Sequence, residues 1–528
     1  MRKHLRVALA GLFTGAVFVG SVWAGAGLTP LTGSGDEVTR VDVPRAGLAE
    51  PGVAAPASLA TGELLAGASA ISLKPRPEDF GGTWVQDRDE CLPVSAEGVD
   101  PMAGLAHVAD WHTPWIENNN CIYMGGYGIG PSNPVVEWDD EYDLWVRSTA
   151  LTDAEGDTLV LTLLDAEGYF ADYNNLCGPV EPRCGSQEIA DDLATELSLD
   201  PDGIIVASTH SHTSLDLIGG WGGVPAWYMD QVATSIKDSI REALDNQVPA
   251  TLEGGETLAR PYNGERRGGY RSAEDPTINW IRAVDGNGEA VATVAAYAAH
   301  PVSYDEGLGI GHGDFPPVFA ANVEAEFGGV ASVFQAGLGN MSPRGGWQGG
   351  GEGLAALIPP LGAGTTVSDP NIRVERAFWD QPVTNGPLGT LGAGGFFDRP
   401  FSGPATVDAG RQQVNRCRSA SAVSAHVSVT AAKIGSVVVT AAPGETFANF
   451  SNTIEERSPI TALAFGQAND ALGYMPQSVE SHHLSRQGGG FVDDDYFFDY
   501  EDAYSIDACF GDMALETTIS LLDGLPAS

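Results

Sequence analysis

The sequence predicts an α/β (α+β) fold: a single large domain of mixed β-sheets with flanking helices. Three observations lead there. Short apolar runs alternate with amphipathic segments, turn signals separate them, and 528 residues at 43% hydrophobic and 18% charged content suffice to bury a large core. The strand-like runs, short and rich in Val, Ile and Thr, are "YDLWVRSTALT", "DTLVLTLLDAEGYF", "GIIVAST", "INWIRAV", "AVATVAAYAAH", "VASVFQAGLG" and "AKIGSVVVTAAPGE". The helical candidates "SQEIADDLATELSL", "PAWYMDQVATSIKDSIREALDN" and "PPVFAANVEAEFG" place apolar residues three and four apart. Residues 344 to 410 are full of Gly and Pro and read as a long excursion over the surface. No internal repeat or heptad pattern interrupts this organisation.

The N-terminus reads separately from the body. Basic residues Arg2, Lys3 and Arg6 precede an apolar run from Val7 to Ala24 and then small residues, the pattern of a secretory signal spanning 1–24. An uncleaved anchor is the competing reading, since the run is just long enough to span a bilayer. Residues 25–75, rich in Ala, Gly, Pro and Thr, read as a low-complexity lead-in, with the folded body at 76–528. Either N-terminal reading puts that body outside the cytoplasm, secreted, periplasmic or at the cell surface.

Six cysteines without paired metal spacing fit an exported, disulfide-bonded protein. Cys177 and Cys184 flank a Pro-containing turn and form the first expected pair. Partners among the other four stay open, Cys91 with Cys121 and Cys417 with Cys509 being the simplest arrangement. A net charge of −43, with basic residues nearly all Arg, excludes a nucleic-acid partner and allows at most transient contact with a membrane surface. Such acidity suits salty surroundings, where screening limits self-repulsion. A refolding yield highest at the lowest salt would contradict that expectation.

Chemistry-bearing residues collect where apolar runs end. In "GIIVASTHSHTS" a run ends in His210 and His212, which share one face if the strand continues. By itself this H-x-H is either a metal site or an exposed loop. "AVATVAAYAAHPVSY" ends in His300, and "KIGSVVVTAAPGETF" ends in Glu445. Imidazoles and a carboxylate at strand exits are the donors that catalytic zinc takes. "ASVFQAGLGNMSPRGG" leads to Ser342 in a Gly-rich turn that is not a G-x-S-x-G elbow, so an ordinary α/β-hydrolase triad is not expected. His482 and His483 read as surface residues, and "DDDYFFDYED" reads as a solvated acidic loop without EF-hand spacing.

The order of "THSH", "AAHPVSY", "GNMSP" and "APGE" resembles that of the neutral/alkaline ceramidases from about residue 120 onward. The resemblance implies a zinc hydrolase domain over 76–528, cleaving the N-acyl amide of ceramide-like lipids to a fatty acid and a sphingoid base. It implies Zn2+ held by His210, His300, Glu445 and Tyr474, the last in "NDALGYMPQS". It further implies His212, Ser342, Tyr500 and an arginine as catalytic groups, Arg266 favoured over Arg267 in "NGERRGG". Asp314 in "HGDFPP" takes a supporting role. Departures are T-H-S-H-T for T-H-T-H-S, Asn340 where the family has an acid, and extra residues between Tyr474 and Tyr500. The chain also stops where longer members continue into a β-sandwich-like domain. A different lipid amide or ester as substrate, or a non-catalytic secreted binding protein, are the alternatives.

Overall fold

The computed structural model describes residues 59–91, 120–127, 133–172, 185–267, 273–393, 399–409, 417–480 and 500–526. The signal and the Cys177–Cys184 pair lie outside them. The longer strands of the first sheet are β1 (Glu63–Ser72), β2 (Trp145–Thr152), β3 (Thr158–Leu164), β4 (Ile204–Ser208), β5 (Val248–Leu258), β6 (Thr277–Asp285), β7 (Ala290–Tyr297) and β8 (Val330–Gln335). Their spatial order is β8-β7-β6-β5-β1-β2-β3-β4. The outermost pairs, β7 with β8 and β3 with β4, are parallel, and the pairs between them antiparallel. A second sheet runs β9 (Ile372–Pro382), β10 (Ser424–Ile434), β11 (Val437–Ala441), β12 (Ala462–Phe465), its last pair parallel.

Helices cover both sheets: α1 (Ser186–Leu197), α2 (Ala226–Asp245), α3 (Phe315–Phe327), α4 (Gly346–Ala355), α5 (Ala448–Glu455) and α6 (Phe510–Gly524). The apolar stripe of α2, including Val232, Ile236 and Ile240, packs with Val146, Val160 and Ile204 on one face of the first sheet. On the other face Leu161, Ile205 and Phe334 meet Val439, Leu463 and Phe465 of the second sheet. Phe334 and Phe465 stack at 4.1 Å across this interface. The α/β expectation therefore holds, and each strand-like run contributes to a sheet, "AKIGSVVVTAAPGE" being divided by a turn at Gly435 between the end of β10 and β11. Among the described residues no helix is long and apolar enough to cross a membrane.

Two segments differ from expectation. β1, inside the stretch read as a lead-in, pairs with both β2 and β5 in the middle of the first sheet. Its small residues hide the strand signal but are what the packing needs: a Cβ on Gly67 would fall 2.1 Å from the Ala243 carbonyl oxygen of α2. The supposed surface excursion likewise carries α4, all of β9 and a short helix, Gly386–Ala393. Two disulfides, Cys91–Cys121 and Cys417–Cys509, are formed as the simplest arrangement has them.

Candidate active site

The parallel pairs β3/β4, β7/β8 and β11/β12 run their carboxyl ends into one region, the place where sheets of parallel strands build sites. Glu167 follows β3, His210 follows β4, His300 follows β7 and Glu445 follows β11. The loop after β12 binds the two edges of the first sheet together there. Gly466 donates its amide to the Gln335 carbonyl at the end of β8, and the Ser208 amide at the end of β4 donates to the Gln467 carbonyl, at 2.8 and 2.9 Å. An edge strand, β4, and β7, next to the opposite edge of the same sheet, thus deliver histidines whose ring centroids are 5.2 Å apart, His210 and His300.

The strand does not continue through the H-x-H pair. It ends at Ser208, and His210 adopts φ of 60°, a left-handed turn uncommon for a residue with a side chain. This turn, rather than strand alternation, brings the His210 and His212 rings to 5.4 Å. Both proposed ligand imidazoles are pinned by backbone carbonyls. His210 Nδ1 faces the Glu167 carbonyl at 2.6 Å and His300 Nδ1 faces that of Met341 at 3.2 Å. A carbonyl only accepts, so each Nδ1 carries the proton and each Nε2 presents its lone pair. Those lone pairs converge on one carboxylate oxygen: Glu445 Oε2 is 2.9 Å from His300 Nε2 and 3.5 Å from His210 Nε2. The Tyr474 hydroxyl lies 3.3 Å from His300 Nε2. Burial lowers the His210 pKa to about 4 and that of His300 well below its ordinary value, so both rings are neutral, the form that ligates a cation. Two imidazoles and a carboxylate whose ligand atoms lie within 4.8 Å of one another, with the Tyr474 phenol beside them, form a group that could hold a metal ion.

Around this cluster stand groups able to handle protons and charge. His212 is buried, with Nε2 3.4 Å from Glu167 Oε1 and Nδ1 3.9 Å from Glu306 Oε2. The Tyr127 ring lies over His212 at 4.7 Å, and Tyr500 is 5.8 Å from Tyr474 and 6.3 Å from Tyr127. Arg266 donates from Nη2 to the Tyr474 hydroxyl at 3.0 Å and from Nε to Glu501 at 2.7 Å. Arg267 instead donates to the Glu480 carbonyl and lies over Phe447, so Arg266 is the arginine turned to the cluster.

Ser342 sits half-buried on the short strand Met341–Pro343, one residue past the carbonyl that anchors His300, and is not among the residues lining the cleft described next. Asn340 is structural: its side chain accepts the Ala448 amide at the start of α5 and donates to the Ala273 carbonyl. Asp314 caps α3 and accepts the amides of Ser303 and Tyr304, fixing the turn that leaves His300.

The cluster opens on a cleft lined on one side by Glu167, His210, His212, Glu445, Tyr474 and Tyr500. Its other side is apolar and includes Phe170, Ile218, Leu388, Phe401, Leu472 and Ile506. The stretch "DLIGGWGG" after the histidines is wound around one carboxylate: Asp216 accepts the amides of Gly219, Gly220, Trp221 and Gly223. This holds Ile218 and Trp221 in the cleft wall.

No protein-family profile and no curated protein matches the sequence. Solved structures do. One is a neutral ceramidase from Pseudomonas aeruginosa, at 15% identity over 77% of this chain and 73% of that chain, with a TM-score of 0.54. The fold is that of a neutral ceramidase. A second match, a ceramidase complexed with C2, reaches a TM-score of 0.56 at 14% identity, over 89% of this chain and 76% of that chain. On this ceramidase fold, His210, His300, Glu445 and Tyr474 meet in space, with His212, Arg266 and Tyr500 around them. Sequence reasoning missed Glu167 and Tyr127. Glu167 had a signal, an acid at the end of the apolar run "TLVLTLLDAEG", the same one that marks Glu445. It is fully buried, burial holds its pKa well above the ordinary value, and its Oε2 has no hydrogen-bond partner among the described residues.

Proposed function

We propose that the protein is an exported, zinc-dependent amidohydrolase that cleaves the N-acyl amide of ceramide-like lipids. The observation that carries this reading is the convergence of two backbone-pinned imidazole Nε2 atoms on Glu445 Oε2 at the polar side of an apolar cleft. His210, His300, Glu445 and Tyr474 would hold the cation. When bound, it supplies Lewis-acid polarisation of the scissile carbonyl and makes water more acidic.

The protein groups divide the remaining work. His212, buried between two carboxylates, takes the proton that the attacking hydroxyl or water loses and hands it to the leaving amine; the Glu167 carboxyl beside its Nε2 orients the ring for that transfer. Tyr500 donates its hydroxyl to the oxygen that gains charge as the amide carbonyl is attacked. Arg266 holds the Tyr474 hydroxyl and adds positive potential to the same place. Ser342, whose side chain does not line the cleft, takes its role as nucleophile or orienter of the attacking water from the resemblance alone, and trapping an acyl-enzyme separates these two roles. The apolar side of the cleft takes hydrocarbon, with Asp216 fixing the Ile218–Trp221 part of its wall.

Zinc content of the purified protein, measured together with hydrolysis of a fluorescent short-chain ceramide, tests the proposal. Zinc with turnover supports it. Zinc without turnover of any ceramide points to another lipid amide or ester. The absence of both zinc and turnover contradicts it.

A further inference from the structure

The Gly- and Pro-rich segment that looked like a surface excursion returns to the cleft. Leu388, on the short helix Gly386–Ala393, and Phe401 both line it, and both pack against the apolar cluster that contains Phe170, Leu472 and Ile506. Phe401 rests on the helix at Gly392, where an added Cβ would fall 2.2 Å from a ring carbon. Only glycine lets the ring lie there. Two residues before Phe401, the buried Arg399 donates from Nε and Nη2 to Asp470 Oδ2 at 3.0 and 2.8 Å. Asp470 Oδ1 accepts the amides of Ala171 and Ala471. Because its guanidinium is paired with Asp470 and with the carbonyls of Pro400 and His426, Arg399 acts as a tether rather than a receptor for an anionic headgroup. It ties the wall to the loop leading to Tyr474.

We propose that Leu388 and Phe401 form the stop against which an aliphatic chain of the lipid amide ends, so that these two side chains set the chain length the enzyme accepts. This rests on the amidohydrolase reading above. The chemistry is that of a hydrocarbon tail, which either the acyl group or the sphingoid base supplies. Below the stop, each further methylene buried is worth about fourfold in kcat/KM. Beyond it, the gain ends.

The test uses two ceramide series, one varying the acyl chain and one the base, with wild type, Phe401→Ala and Gly392→Ala. Phe401→Ala removes the stop and should raise the long-to-short ratio of kcat/KM by about tenfold or more, as two or more methylenes gain a buried place. Gly392→Ala pushes the ring into the cleft and should lower the same ratio. A shift confined to one series assigns the wall to that chain. Should Gly392→Ala fold poorly, the double variant with Phe401→Ala gives the added methyl room and should recover folding. Binding of both series to metal-stripped protein keeps the two proposals apart. A chain-length profile unchanged in Phe401→Ala and Leu388→Ala, in binding and in turnover, overturns the stop. Shifted binding profiles with no turnover by the zinc-loaded wild type overturn the amidohydrolase reading alone.

Discussion

The two sides of one cleft are built on different principles. The polar side draws its residues from strand exits, and backbone groups hold them: carbonyls of Glu167 and Met341 fix two imidazoles, and backbone amides on Asp314 fix the turn after His300. The apolar side comes from loops and one short helix, held by buried charge, Arg399 on Asp470 and four amides on Asp216. Chemistry that needs sub-ångström placement sits on rigid elements, and the surface that only needs shape sits on segments free to vary.

That contrast can be broken from either side. The largest effect is expected from Glu445→Gln, which removes the carboxylate both Nε2 atoms face: bound metal and ceramide turnover should fall together. Metal content by mass spectrometry checks it, and retention of a full equivalent would contradict the ligand role. His212→Asn should instead separate the two quantities, keeping the metal while kcat falls by about 10²–10⁴, the range of a positioned acid–base group. Steady-state kinetics on metal-replete protein reads this out. On the apolar side the expected loss is stability. Arg399→Met leaves the buried Asp470 carboxylate without its guanidinium and should lower unfolding free energy by about 3–5 kcal/mol, read by denaturant titration. Asp216→Asn weakens a set of charge-assisted hydrogen bonds and should cost about 1.5–3 kcal/mol. If either apolar-side variant lost its metal before it lost stability, the division between the two sides would fail.

The two sides were also unequally legible in the sequence. The polar side announces itself because an ionisable residue at, or within a few residues of, the end of an apolar run is unusual, and His210, His300 and Glu445 all occur so. Glu167 carried the same mark and was overlooked beside the more conspicuous histidine pair. The turn at His210 was not legible, since left-handed backbone at a histidine is imposed by the bonds Thr209 and His210 make to Leu164 and Ala166 of the neighbouring chain segment. On the apolar side, "DLIGGWGG" was legible as a stretch that shapes a pocket, whereas Leu388 and Phe401 left no trace. Leu388 and Phe401 are single apolar residues among glycines and prolines, and their role comes from contacts with Leu472 and Ile506, far along the chain. β1 failed for a related reason: small residues chosen for the approach of α2 carry little strand propensity.

The most direct test is the metal itself. Purified protein should carry one divalent cation per chain. A chelator should remove it together with ceramide hydrolysis, and zinc should restore both, whereas Glu445→Gln should regain neither. Full turnover by protein shown to be metal-free would contradict the assignment of His210, His300, Glu445 and Tyr474.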